Sequence, residues 1–196
     1  MVTAAIGLFL LGYYGGNRYR HRDSSPPAIA GVLIRPIHPL PAFELRDTAS
    51  RPFTNESFMG CWTLLSFGDL HRESDRRVVN RMIEVHNRLA DKPDLQRQIR
   101  LALVISGDPI PAWDFDRLSP TLRLLSGTTG EQQCLQASLG MPVPETAGAR
   151  EQAPPIYLID PESRLLALFP DAQVPATIAS DLATVTAHAD VLGSRR

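Results

Sequence analysis

The stretch HRESD, residues 71–75, sets an imidazole, a guanidinium and two carboxylates side by side. It follows an apolar run, TLLSFGDL (Thr63–Leu70), and leads into RRVVNRMIEVHNRL (Arg76–Leu89), a run with helical spacing. A strand that hands over to a helix is where α/β proteins often carry their chemistry, because loop side chains and free helix N–H groups converge there. On an extended chain His71, Glu73 and Asp75 point the same way, and an imidazole with two carboxylates can hold a divalent metal. The plainer alternative is a solvated loop with Ser74 or Asp75 capping the helix. Arg72, Arg76 and Arg77 crowd the same corner and can hold an anion at a helix N-terminus, unless Glu73 and Asp75 neutralise them, which is the expectation.

Other reactive side chains are sparse. The two cysteines, Cys61 and Cys134, rule out a disulfide-built scaffold but leave a single bridge open. Cys61 precedes the Thr63–Gly68 run, about 23 Å from the corner at ~3.3 Å per extended residue. Cys134 neighbours Leu135 in a helical segment. Both are expected to be inert buried or half-buried thiols. His86 falls near the inner face of its helix, as a core histidine, while His38 and His188 stand alone. There is no GxSxG, P-loop, GxGxxG or HExxH motif, and local spacing assembles no nucleophile with a base.

The elements that would position these residues alternate. AFEL (Ala42–Leu45) predicts a short strand, RDTASRP a turn and PFTNESF a return. TLLSFG (Thr63–Gly68) and IRLALVISG (Ile99–Gly107) are continuous apolar runs, as expected of strands buried on both faces. Between them a helix from about Asp75 to Leu89 carries Val79, Met82, Ile83 and Leu89 on its inner face. RLLSG (Arg123–Gly127) is a weaker strand. TTGEQQCLQASLG (Thr128–Gly140) is a helix with a capping box from Thr129 to Gln132 and a terminating Gly140. PIYLID and RLLALF flank PES as a hairpin, and a last helix runs over about Pro175–Leu192. The sum is an α/β domain with a mixed sheet flanked by helices, compatible with a thioredoxin-like fold.

At 196 residues, with 43% hydrophobic and 21% charged residues, the chain has the composition of one globular domain. A net charge of −1 and the lack of a basic-aromatic stripe argue against nucleic acid as a partner. Val2–Gly16 carries no charge and is followed by RYRHR (Arg18–Arg22). Residues 1–17 therefore read as a transmembrane anchor at the lower limit of length, with Tyr13, Tyr14 and Tyr19 suited to the membrane interface. A cleaved signal peptide fits less well, since no basic residue precedes the apolar run. Residues 18–40 read as a proline-rich extended tether and residues 41–193 as the folded domain. A basic cluster after the span would place the domain in the cytoplasm by the positive-inside rule.

Four segments in order resemble the Sco/SenC family of membrane-tethered, thioredoxin-fold proteins that serve copper delivery and thiol redox in cytochrome c oxidase assembly. They are LPAFELRDTASRPFTNESFMGCWTLLSFGDLH (Leu40–His71), ALVISGDPIPAWDF (Ala102–Phe115), SGTTGEQQCLQASLGM (Ser126–Met141) and IYLIDPESRLLALF (Ile156–Phe169). The resemblance implies that the corner after Phe67–Gly68 is the functional one. It also shows what is missing. The family's Cys-x-x-x-Cys motif reads Arg72 and Arg76 here, and the position of its third ligand, a histidine, reads Gln152. Cu(I) selects thiolate, whereas guanidinium offers no lone pair and repels a cation.

The resemblance therefore implies a divergent, non-enzymatic accessory protein with no copper or dithiol site and no cofactor of its own. It implies a bacterial inner-membrane location with the domain in the periplasm, against the charge rule. Partners would be oxidase subunits or copper chaperones. The alternative is a thiol-redox or metal enzyme with a relocated site, built on Cys61, Cys134 or the set His71, Glu73 and Asp75.

Overall fold

The computed structural model describes residues 27–106, 121–141, 153–189 and 192. One compact unit, residues 29–183, carries the sheet. In chain order its strands are β1 (Val32–Pro39), β2 (Leu45–Asp47), β3 (Pro52–Phe53), β4 (Trp62–Gly68), β5 (Ile99–Ile105), β6 (Leu122–Ser126), β7 (Ile156–Ile159) and β8 (Arg164–Phe169). The helices are α1 (Glu73–Arg88), α2 (Pro93–Gln98), α3 (Thr129–Ser138) and α4 (Pro175–Ala187). The strands form one sheet in the order β1-β8-β7-β4-β5-β6-β2-β3.

Strand β4 sits at its centre. It pairs in parallel with β5 from Trp62↔Ile99 to Gly68↔Ile105, and antiparallel with β7. Every residue of β4 is buried, as its unbroken apolar run requires. The parallel β4–β5 pair needs a crossover, which α1 supplies. Helix α1 buries Val78, Val79, Met82 and Val85 and lies against β4 and β5. Leu135 and Leu139, in and just after α3, join a second cluster with Leu65 and Phe67 of β4, Ala102 and Val104 of β5, and Phe43, Phe53 and Phe58. Side chains alternate across a strand, so Leu64 and Ser66 belong to the opposite face from Leu65 and Phe67. The sheet is thus mixed and covered by helices, as the element pattern predicts.

The joint between β4 and α1 is built from a glycine and an aspartate. A Cβ on Gly68 would come within 2.9 Å of the Asp75 Cβ, so the strand must end in glycine for the helix to begin against it. Asp75 is buried; its Oδ2 accepts from the Asp69 N–H at 2.6 Å and its Oδ1 from the Ser74 hydroxyl at 2.9 Å. Helix α1 is then clamped to the segment that joins β8 to α4. Arg81 donates to Asp171 Oδ1 at 3.0 Å and to the carbonyls of Pro170 and Gln173. Asp171 Oδ2 in turn accepts from the Ala153 N–H, just before β7. The buried Ser66 hydroxyl fixes the same segment by donating to the Pro155 carbonyl at 2.8 Å.

Several expectations shift. Part of the stretch expected as a tether is a strand: β1 pairs antiparallel with β8, and Leu40 is buried. Its entry is held by Asp181, whose carboxylate accepts from the Ala30 and Gly31 N–H groups and from Gln173. The prolines conceal this strand, because an edge strand tolerates residues with no N–H to give. The first short strand lies later than AFEL, at Leu45–Asp47, because Asp47 closes the turn by accepting from the Ala49 and Arg51 N–H groups. The helix Pro93–Gln98 was not expected, although Pro93 stands in its first turn as helix-opening prolines do. The last helix is continuous over Pro175–Ala187; a turn follows at His188, and Ala189 and Leu192 are again helical. Residues 1–17, the expected anchor, lie outside the described residues, among which no helix is long and apolar enough to cross a membrane.

Two substitutions measure these fastenings. Asp75→Ala strips the half-buried Asp69 N–H of its acceptor, and a loss of about 1–3 kcal/mol is expected in urea unfolding. Asp181→Ala frees two backbone donors at the start of β1; about 1–3 kcal/mol is again expected, with faster amide hydrogen exchange confined to β1 and its neighbour β8.

Candidate functional site

The corner lies where β4 and β5 end together, with the Ser106 N–H donating to the Gly68 carbonyl at 2.9 Å. Asp69 winds the connection. Its carbonyl accepts from the Arg72 N–H at 2.8 Å and its Oδ1 from the His71 N–H at 3.0 Å. Arg72 is the N-cap of α1, with extended backbone (φ −93, ψ 134) and no side-chain cap. The expectation that Ser74 or Asp75 caps the helix is therefore corrected: both lie inside its first turn. Asp75 reaches back past the cap to Asp69 instead.

The metal set His71, Glu73 and Asp75 does not come together. Their common facing required an extended chain, but α1 already begins at Glu73. A helix turns about 100° per residue, so Glu73 and Asp75 diverge. His71 and Glu73 are exposed, while Asp75 is 6% exposed and committed to Asp69 and Ser74. Among the described residues no group of three or more His, Cys, Asp or Glu side chains can hold a metal ion.

Arg72 and Arg76 lie four residues apart across the start of α1. The Arg76 N–H donates to the Arg72 carbonyl at 3.1 Å, which sets the two one helical turn apart. Arg72 is half-buried and Arg76 exposed. The expected neutralisation by Glu73 and Asp75 is absent for this pair: neither arginine forms an ion pair with either carboxylate. Asp75 is turned inward and Glu73 outward. Two cations thus stand at a helix N-terminus, where the helix dipole disfavours positive charge. Neither guanidinium offers a lone pair to a cation. Gln152 lies outside the described residues.

The cysteines are both free. Cys61 is half-buried at the opposite end of β4, and its N–H donates to the Phe58 carbonyl. Cys134 is exposed, not buried: Leu135 takes the inward face of α3, and Cys134, one residue before it, is rotated about 100° away from the core. His38 lies exposed on β1, and His86 is half-buried.

A cleft of about 570 Å³, lined in part by Arg46, Ile105, Ser126 and Gln132, opens at the carboxyl ends of β5 and β6. Carboxyl ends of parallel strands are the usual ligand side of an α/β sheet. Here the neighbouring helix terminus is already filled. The capping box is Thr128–Glu131, one residue earlier than expected, with Glu131 Oε2 accepting from the Thr128 N–H at 2.9 Å. Hydrogen bonds from the Thr128 side chain and backbone hold the Glu131 carboxyl below its ordinary range, so it is ionised at neutral pH. Gln132 is spent on the Ile105 and Gly127 carbonyls.

No family model and no curated protein matches the chain. Solved structures do. Copper-bound ScoI of Bradyrhizobium japonicum is 20% identical, with a TM-score of 0.58 over 74% of this chain and 98% of its own. BsSco, described as a member of the Sco family of cytochrome c oxidase assembly proteins, is 16% identical, with a TM-score of 0.62 over 84% and 99%. The thioredoxin domain of a Bacteroides vulgatus thiol-disulfide oxidoreductase is 14% identical, with a TM-score of 0.53 over 75% and 96%. The chain has the thioredoxin-like fold of the Sco proteins.

Proposed function

We propose that this chain is a Sco-like accessory protein that assists cytochrome c oxidase assembly or respiratory copper homeostasis through protein contacts, without a copper or dithiol site of its own. The observation that carries this reading is the Arg72–Arg76 pair. It occupies, one helical turn apart, the corner where the resembling family keeps its two cysteines. One structural neighbour holds copper and another is described as an oxidase assembly protein. The scaffold is retained here while the groups able to bind Cu(I) are replaced by groups that repel it. Residues 1–17 would tether the domain to the bacterial inner membrane, with the folded part in the periplasm. Oxidase subunits or copper chaperones would be the partners.

Three outcomes follow. Titrated with Cu(I) against a chelating competitor, the protein is expected to take up no stoichiometric metal, whereas Arg72→Cys/Arg76→Cys should gain measurable affinity. Tight one-to-one binding by the unaltered chain would overturn the vacated corner. A deletion strain should lose cytochrome oxidase activity, and normal activity with normal copper content counts decisively against the accessory role. A reporter active only in the periplasm, fused to the C-terminus, is expected to be active; a silent, stably produced fusion reverses the orientation.

A further inference from the structure

A second cleft, of about 360 Å³, lies at the opposite end of the sheet from the corner, around the first residues of β5 and β6. Three guanidinium groups line it: Arg97 of α2, Arg100 of β5 and Arg123 of β6. No acidic residue is among the described residues that line it. The strand register explains how two of them meet. Arg123 pairs with Ala102, and Arg100 stands two residues before Ala102 on the same strand. Both side chains therefore leave the same face of the sheet as diagonal neighbours on adjacent strands.

Their charge is only partly answered. Arg97 is paired with Asp94, and both are largely exposed. Arg100 is half-buried and gives one long hydrogen bond, 3.4 Å, to the Ser57 carbonyl. Arg123 is exposed and forms no ion pair among the described residues. His86 adds a half-buried imidazole at the wall, which burial pushes below its ordinary value, so at neutral pH it contributes a hydrogen-bonding group and no charge. Nearby, the Gln96 side chain is held by the His86 carbonyl at 2.9 Å, which fixes α2 against the end of α1. A concave site lined by one sign of charge concentrates counter-ions, and guanidinium forks match the planar oxygens of carboxylate and phosphate.

We propose that the cleft formed by Arg97, Arg100 and Arg123 binds a small multivalent oxyanion, through its carboxylate or phosphate oxygens. Its volume suits a ligand of a few to a dozen or so heavy atoms rather than a macromolecular surface. The site is separate from the vacated corner and does not depend on the accessory role.

The test is thermal unfolding of the full chain in titrations of citrate and of inorganic pyrophosphate, with sodium chloride raised to equal ionic strength as control. A saturable rise in melting temperature with either anion, absent with chloride, is expected. The anion that acts identifies carboxylate or phosphate as the recognised group. Arg123→Gln is exposed enough to leave the fold intact and should weaken binding about tenfold or more, as loss of a charge-assisted hydrogen bond does. Arg100→Gln should do the same if it folds. No saturable response to either anion overturns the proposal, as does an Arg123→Gln protein that binds as tightly as the unaltered chain.

Discussion

The burial of β4 on both of its faces is the constraint from which the remaining structure follows. A strand with no solvent side must have a strand on each edge and a covering layer above and below. Strand β5 lies on one edge and β7 on the other, and the change from parallel to antiparallel pairing at β4 makes the sheet mixed. Helix α1 buries its valines and Met82 and lies against β4 and β5, while Leu135 of α3 joins the aromatic cluster around Phe67. Most polar groups inside are answered, as Ser66 is by the Pro155 carbonyl; among the described residues Arg81 Nε, Ser163 Oγ and Gln173 Oε1 are buried without a hydrogen-bond partner.

That central strand also determines where the candidate site lies. Because β4 ends at Gly68, α1 can start almost in contact with it, and Asp75 closes the joint by accepting from Asp69. The corner is therefore a hydrogen-bonded turn. Arg72 and Arg76 are held at the spacing a cysteine pair would need, and what they present there is positive charge.

Charge is distributed unevenly over a chain with a net charge of only −1. Acidic groups are drawn into structural tasks. Asp75 fastens a helix start, Asp171 holds Arg81, Asp160 closes the β7–β8 turn with Arg164, and Asp181 holds the entry to β1. Asp75, Asp160 and Asp181 are buried by this work. Cations are left at both ends of the parallel strands: Arg72 and Arg76 at one, Arg97, Arg100 and Arg123 at the other. A composition near neutrality therefore conceals local surfaces that are not neutral.

Period and breakers in the sequence were enough for the strong elements. The unbroken apolar runs of β4 and β5, the helical stripe of α1 and the turn residues of the last hairpin each specify their conformation locally. The identities of Arg72 and Arg76 are likewise read directly from the sequence. Tertiary structure decided what local pattern leaves open. Strand β1 exists because β8 offers it an edge, which prolines in the segment disguise. Helix α1 begins at Glu73, two residues before the expected start, and this together with the inward turn of Asp75 against Gly68 and Asp69 separates His71, Glu73 and Asp75. The cleft at the other end joins Arg100 to Arg123, residues brought together by strand register and invisible to spacing along the chain. Local sequence fixes backbone period, but which side chains meet depends on contacts distant in sequence.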